Sequence, residues 1–293
     1  MMLLKELMLN TILAKFKLYW QLIKSLQTGL LLATGLAGYM TVRCPVFNLP
    51  ELSAVAATLF LAISGSTVLN MWHDRDIDAK MKRTCLRPLS SGKISPKEAF
   101  WIGVILGASG VIFAFFLDPF YGVIVLAGLF FDVFVYTIWL KRSTCWAILW
   151  GGISGGMPVL AGRVLATGQI DWVGIALAAS ILFWIPTHIM TFSIRYAQDY
   201  EAAHTPTFVS SYNVAFTRKV IAASSILAAM MMGLAAIGIG MQIGYLRLLV
   251  VLSTGLVLLS LRSLVNPSEK LNFGLFKYAS LYMLSSMILM MAR

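Results

Sequence analysis

"EAFWIGVILGASGVIFAFFLDPFYGVIVLAGLFFDVFVYTIWL", residues 98–140, holds two long apolar runs in succession, 98–117 and 120–140. As a helix, each is long enough to cross the hydrocarbon core of a bilayer, which takes roughly 20 residues. Apolar residues run all round each helix and period-2 alternation is absent, which excludes a membrane β-barrel. Further runs of the same kind lie at about 21–41, 51–71, 145–166, 172–194, 219–240, 243–262 and 272–291. The composition agrees, with 59% hydrophobic and 12% charged residues in a chain of 293. That is far more apolar than an ordinary soluble domain. The expected fold is all-α: one polytopic membrane domain over 1–293 with nine transmembrane helices.

Residues 1–20 are interrupted by Lys5, Glu6, Lys15 and Lys17. They read as an amphipathic helix on the membrane surface, not as a cleavable signal peptide. Cys44, Cys85 and Cys145 show neither paired nor metal-ligand spacing, so neither a disulfide framework nor a zinc site is expected. The net charge of +11 is unevenly placed. The N-terminus and alternate links carry most of the cations: Lys5 to Lys24, Arg75 to Lys97, Lys141 with Arg142, Arg195, Arg218 with Lys219, and Arg262 with Lys270. The opposite links hold scattered ones such as Arg43, Arg163 and Arg247. The positive-inside rule puts the richer face in the cytoplasm and, with nine spans, the C-terminus outside. Anionic lipid accounts for the remaining attraction of this charge. Nucleic acid is excluded, because no basic module exists outside the spans.

One link carries more than topology requires. "NMWHDRDIDAKMKRTCLRPLSSGK", residues 70–93, gathers three aspartates and six Lys or Arg residues at the end of the second span. Asn70, Asp74 and Asp78 fall at i, i+4, i+8, so on a continuing helix they stack along one face. Two carboxylates at that spacing repel unless something positive lies between them. Oxygen ligands that leave positions open suit Mg²⁺, which keeps waters and shares substrate phosphates. Asp76 points away from that face, towards a pairing with Arg75 or Lys80. Arg83 and Arg87, again four apart, suggest a second cationic face for bidentate phosphate contact. The bland reading, solvated loop charges, explains the cations but not regularly spaced acids.

A second polar stretch follows the sixth span: "PTHIMTFSIRYAQDYEAAHTP", residues 186–206. Arg195 and Asp199 are again four apart, with His188 eleven residues before the aspartate and Tyr196 and Tyr200 beside them. Alone this is weak, since an Arg–Asp pair is most often a surface pair and a lone His a satisfied core residue. Recurrence gives it weight. An acid-bearing helix end after span two is echoed four spans later on the same face, which suggests two four-helix units facing each other across a cavity.

Together with "VYTIWLKRST" and "GGISGGMPVLAG", these stretches resemble the UbiA-type intramembrane prenyltransferases, and within them the branch that farnesylates protoheme IX to heme O. The resemblance implies a U-shaped bundle around a lipid-open central cavity. It also implies Mg²⁺ and farnesyl diphosphate held under caps on the cytoplasmic side of the cell membrane. Asn70, Asp74, Asp78 and Asp199 would hold the metal, with Asp74, Asp78 and Asp199 catalytic. Arg83, Arg87, Lys141 and Arg142 would bind phosphate, and Arg195, Tyr200 and His188 would meet substrate, His188 through the heme iron or a propionate. Protoheme IX would be the acceptor, with hand-off to heme-modifying or oxidase assembly proteins.

Several positions depart from that pattern. Arg195 stands where many members have a second acidic residue, and Arg163 and Asp132 stand where aromatics are expected. Asp132 lies inside a span, where a carboxylate is a functional candidate by default. Gly151, Gly152, Gly155 and Gly156 suit close helix packing. Two other classes stand beside this one: a prenyltransferase with a quinone-type or lipid acceptor, and a transporter. A transporter places its polar groups near the bilayer midplane, whereas most acids here fall at one face.

Overall fold

The computed structural model describes residues 13–43 and 48–291. Residues 1–12, most of the expected surface segment, and Cys44 lie outside it; residues 13–22 are helical. Cys85 and Cys145 are free thiols.

Nine long helices follow: α1 (Ser25–Arg43), α2 (Leu49–His73), α3 (Pro96–Leu117), α4 (Pro119–Leu140), α5 (Ala147–Thr167), α6 (Trp172–Arg195), α7 (Val214–Ile239), α8 (Ile243–Val265) and α9 (Glu269–Met291). Among the described residues there are no strands. Eight of these helices, α2 to α9, are long and apolar enough to cross a membrane. α1 is shorter, at 19 residues, and Gln27 with several threonines and glycines dilutes its apolar content.

Local chemistry sets the boundaries. Ser95 caps α3 by accepting from the Glu98 amide at 3.1 Å, and Pro96 occupies its first turn. Asp118 then caps α4 by accepting from the Tyr121 amide at 2.8 Å, followed by Pro119. Proline has no N–H to lose at that position, so this Asp-Pro pair separates two apolar helices with almost no loop. α5 ends on Gly168 and α7 on Gly240, both left-handed, a conformation glycine adopts without steric cost. α4 changes character part-way: it is α-helical to Phe130 and π-helical over Phe131–Leu140.

Each helix packs on the next in sequence, and the circuit closes where α9 meets α1 and α6 while α1 meets α5. The α1–α5 seam is close: a Cβ on Gly162 would meet the Gly35 carbonyl oxygen, and one on Gly38 the Val159 carbonyl. Small residues permit this approach where lipid supplies no hydrophobic drive. Side-chain hydrogen bonds tie other helices, as from Asn272 Nδ2 to the Thr191 carbonyl at 2.7 Å and from Trp184 Nε1 to that of Ala279 at 2.7 Å. Phe116, Ile237 and Val251 face outward, exposed, as a lipid-facing surface requires.

At one end Arg163, buried on α5, donates to both oxygens of Asp171 at 2.6–3.0 Å and to Thr41 Oγ1 at 2.8 Å. Asp171 also caps α6 through the Gly174 amide at 2.8 Å. Arg163 is thus a strut joining α1, α5 and α6. The charged caps occupy the other end.

Candidate active site

α2 ends at His73, and the short helix Arg75–Lys80 follows at once. Backbone bonds bridge the break, from the Asp74 amide to the Asn70 carbonyl at 3.0 Å and from the Asp78 amide to that of Asp74 at 2.8 Å. The four-residue step therefore survives the junction. Asn70, Asp74 and Asp78 lie buried on one continuous face, at 7%, 2% and 4% exposure.

Cations from three other segments meet this face. Lys141, just beyond α4, pairs with Asp74 Oδ2. Arg87 donates to both Asp78 oxygens, at 2.9 and 2.7 Å. Lys24 donates to Asn70 Oδ1 at 3.0 Å, while Asn70 Nδ2 donates to Thr137 Oγ1 at 2.8 Å. Lys24 escaped the sequence reading, where it counted only towards topology. Its backbone sits at φ 46°, a left-handed conformation costly for a non-glycine residue, and this bend between helix 13–22 and α1 turns its side chain inward.

These charges alter one another. Burial opposes the Asp74 charge, but Lys141 and Lys24 outweigh it and hold the carboxyl well below the usual range. Burial likewise opposes the Lys141 charge, yet Asp74 lifts its pKa above the ordinary lysine value. Lys24 is pushed down to about 8 by burial, with repulsion from Arg87 and Lys141 adding to it.

The cap after α6 meets this one. Ile77 and Met81 pack with Tyr200 and Ala203. Asp199 accepts from the Lys82 and Arg83 amides at 3.3 and 3.4 Å. The Arg83 guanidinium lies 4.7 Å from the Phe192 ring centroid and 5.5 Å from that of Tyr196.

Several expectations change here. Residues 81–95 run through turns, so Arg83 and Arg87 share no helical face: Arg87 serves Asp78, and Arg83 lies against the α6 aromatics. Arg142 forks onto Asp76 at 2.8 and 2.7 Å, outside the buried face. Asp76 pairs with it, and not with Arg75 or Lys80. The Arg195–Asp199 pair does not form, because the helix breaks at Tyr196; Arg195 lies 4.1 Å over Phe273 instead. His188 sits within α6 between the Trp184 and Phe276 rings, at 4.8 and 4.6 Å, with Nδ1 3.2 Å from Ser280 Oγ.

The profile of the UbiA prenyltransferase family matches residues 31–281. The chain belongs to the UbiA prenyltransferase family. Among its relatives, a protoheme IX farnesyltransferase of Archaeoglobus fulgidus is 42% identical over 66% of this chain and 68% of that one. In fold it is similar to a solved structure of digeranylgeranylglyceryl phosphate synthase, with TM-score 0.78, 19% identity and coverage of 95% and 98%. A UbiA homolog from Archaeoglobus fulgidus bound to GPP and Mg²⁺ gives TM-score 0.68 at 14% identity, covering 93% and 99%.

The UbiA-family chain has donors that fit a divalent cation. Asp74 Oδ1 is buried without a hydrogen-bond partner, with His73 Nδ1, also unsatisfied, 3.5 Å away. Unused lone pairs on a buried carboxylate are what an oxygen-seeking cation takes up. Among the described residues no three acidic, His or Cys side chains converge into a metal-binding set. Protein oxygens here would therefore supply a partial shell, which suits Mg²⁺ with waters and phosphate oxygens completing it.

Proposed function

We propose that this chain transfers a farnesyl group from farnesyl diphosphate to a vinyl group of protoheme IX, giving heme O and diphosphate, in an Mg²⁺-dependent reaction. The observation that carries the diphosphate side is the buried face of Asn70, Asp74 and Asp78 ringed by Lys24, Arg87 and Lys141. The name of the 42%-identical relative supports the acceptor, and the homolog with GPP and Mg²⁺ supports the donor class and the metal.

Breaking the allylic C–O bond leaves negative charge on diphosphate. Lys24, Lys141 and Arg87 stabilise that charge where water is scarce, so each contact is worth more than in solution. Asp74 and Asp78 would hold Mg²⁺, which would supply further neutralisation of the leaving group. Arg83, which lies against Phe192 and Tyr196, would bind phosphate from the α6 side, and Asp199 holds the 82–83 backbone that carries it. Arg142 holds Asp76 and His73 in place at the rim. Tyr200 and Arg195 shape the α6 side of the entrance.

His188 contacts the acceptor. Its Nδ1 is engaged by Ser280, which leaves Nε2 for the heme iron or a propionate. The caps lie on the cytoplasmic side of the cell membrane, as the cation bias of the links suggests. The test is incubation of the purified protein in lipid discs with farnesyl diphosphate, Mg²⁺ and protoheme, followed by mass analysis of the porphyrin. A porphyrin heavier by one farnesyl group and one hydroxyl is expected. Unmodified porphyrin beside another labelled acceptor would overturn the heme assignment and leave prenyl transfer standing.

A further inference from the structure

Beneath the charged cluster lies a carboxylate that the reading above leaves without a task. Asp132 occupies the first turn of the π-helical part of α4 and accepts a hydrogen bond from Ser66 on α2. Ser66 is one helical turn before Asn70, which puts this contact about 6 Å deeper than the cluster at the usual rise per residue. The two levels are joined: Asn70 donates to Thr137 Oγ1, and that hydroxyl donates to the Asp132 backbone carbonyl at 2.7 Å.

Asp132 opens onto a cavity of about 70 Å³ between α1, α2, α4 and α5. Its polar lining is Gln27, Ser66, Thr67, Asp132 and Ser154, set among leucines and Met157. One water needs roughly 10–15 Å³ of such space and two to four polar partners, so the cavity has room and partners for water. No cation is in ion-pair contact with Asp132 among the described residues, and Lys24 and Lys141 of the cluster above act on it at longer range. A carboxylate in a span without a cation in contact is costly, and the wide π-helical turn that carries it is a feature common at functional sites.

We propose that Asp132 is the proton acceptor that completes the transfer, holding a water in this cavity and taking its proton as the water adds. The inference rests on the heme reading above. In that reaction the allylic C–O bond breaks and its electron pair leaves with diphosphate. The vinyl π pair forms the new C–C bond to the freed allylic carbon, leaving the carbon beside the porphyrin ring cationic. A water lone pair then forms a C–O bond to that carbon. One water O–H bond breaks, its electrons stay on the new hydroxyl, and the proton goes to the Asp132 carboxylate. Without a base beside the water, the same cation sheds a neighbouring proton instead. The product is then an alkene, one water lighter.

The experiment reads the ratio of hydrated to dehydrated product, which a merely structural residue would leave alone. Wild type, Asp132→Asn, Asp132→Glu and Ser66→Ala are compared in lipid discs with farnesyl diphosphate, Mg²⁺ and protoheme. Asp132→Asn keeps the shape and the Ser66 contact but loses basicity, so the ratio should fall by about tenfold or more. Asp132→Glu should recover most of it, and Ser66→Ala should fall between. An unchanged ratio in a turning-over Asp132→Asn overturns the inference while leaving the heme reading intact. Should Asp132→Asn fail to fold or turn over, a wild-type ratio in Ser66→Ala overturns it equally. Wild type that adds no farnesyl group to porphyrin sinks the heme reading and this role together.

Discussion

Three aspartates within five residues have different surroundings, and burial separates them. Asp74 and Asp78 are 2% and 4% exposed with cations against them, whereas the Asp76 side chain is 56% exposed and pairs with Arg142 at the rim. Asp74→Asn and Asp78→Asn should each lower turnover by about 100-fold or more, roughly the 3 kcal/mol of lost transition-state stabilisation that one polarising ligand supplies. Asp76→Asn should stay within about threefold, since an exposed pair is worth ~0–1 kcal/mol. Steady-state kinetics on folded protein checks both, and equal losses at all three sites would point to bulk charge instead. His188→Ala should weaken heme uptake far more than farnesyl diphosphate uptake, read as a reduced absorbance shift on heme titration. At this scale the acids were legible in the sequence because their spacing is periodic. Lys24 was not, because a lone lysine before a span looks the same whether it faces lipid head groups or bends inward at φ 46°.

Elements carry information that side-chain periodicity does not. The long helices were legible because apolar length alone marks them, and "DP" marks the α3–α4 break through its cap and proline. The π-helical register of Phe131–Leu140 was not legible, since an apolar run reads alike at 3.6 or a wider turn. Arg83 and Arg87 misled for a related reason. Their spacing implies a helical face, but Pro88 and the left-handed Gly92 accompany a chain of turns. The α1–α5 seam gives a prediction at this level. A Cβ on Gly162 would lie 2.0 Å from the Gly35 oxygen, so Gly162→Val should destabilise the bundle by about 1–3 kcal/mol, seen as a lower thermal midpoint in detergent. The α6 cap gives another. Burial opposes the Asp171 charge, but Arg163 and the Gly174 amide hold its carboxyl below the usual value. A depressed folded-state pKa stabilises above the unfolded value, and that gain is lost as pH falls through the folded one. Asp171→Asn should therefore be less stable than wild type at neutral pH, and the gap should close below about pH 4.

Among the described residues the molecule is a circuit of nine long helices with its charged caps at one end, and the cation bias of that end predicts its orientation. Reporter fusions placed after Lys97 and after residue 293 should give opposite readouts, because seven spans, α3 to α9, separate the two positions. Matching readouts would mean that one of the seven helices between the two positions, α3 to α9, does not cross. The relation between the two caps was legible in outline, since acids recur four spans apart. Its atomic form was not: Asp199 grips the backbone of residues 82 and 83 instead of its own helix's Arg195, a contact across 117 positions that no local pattern encodes. The closure of the circuit has a consequence for how the protein is made. α9 packs against both α1 and α6, so during synthesis α1 waits through seven intervening long helices before this contact can form. Until then the α1 and α6 faces that α9 covers stand open to lipid or to an insertion factor. A nascent chain stalled before residue 269 should thus be sensitive to proteases and thiol probes at positions the finished protein shields, and release of the final helix should close them in one step.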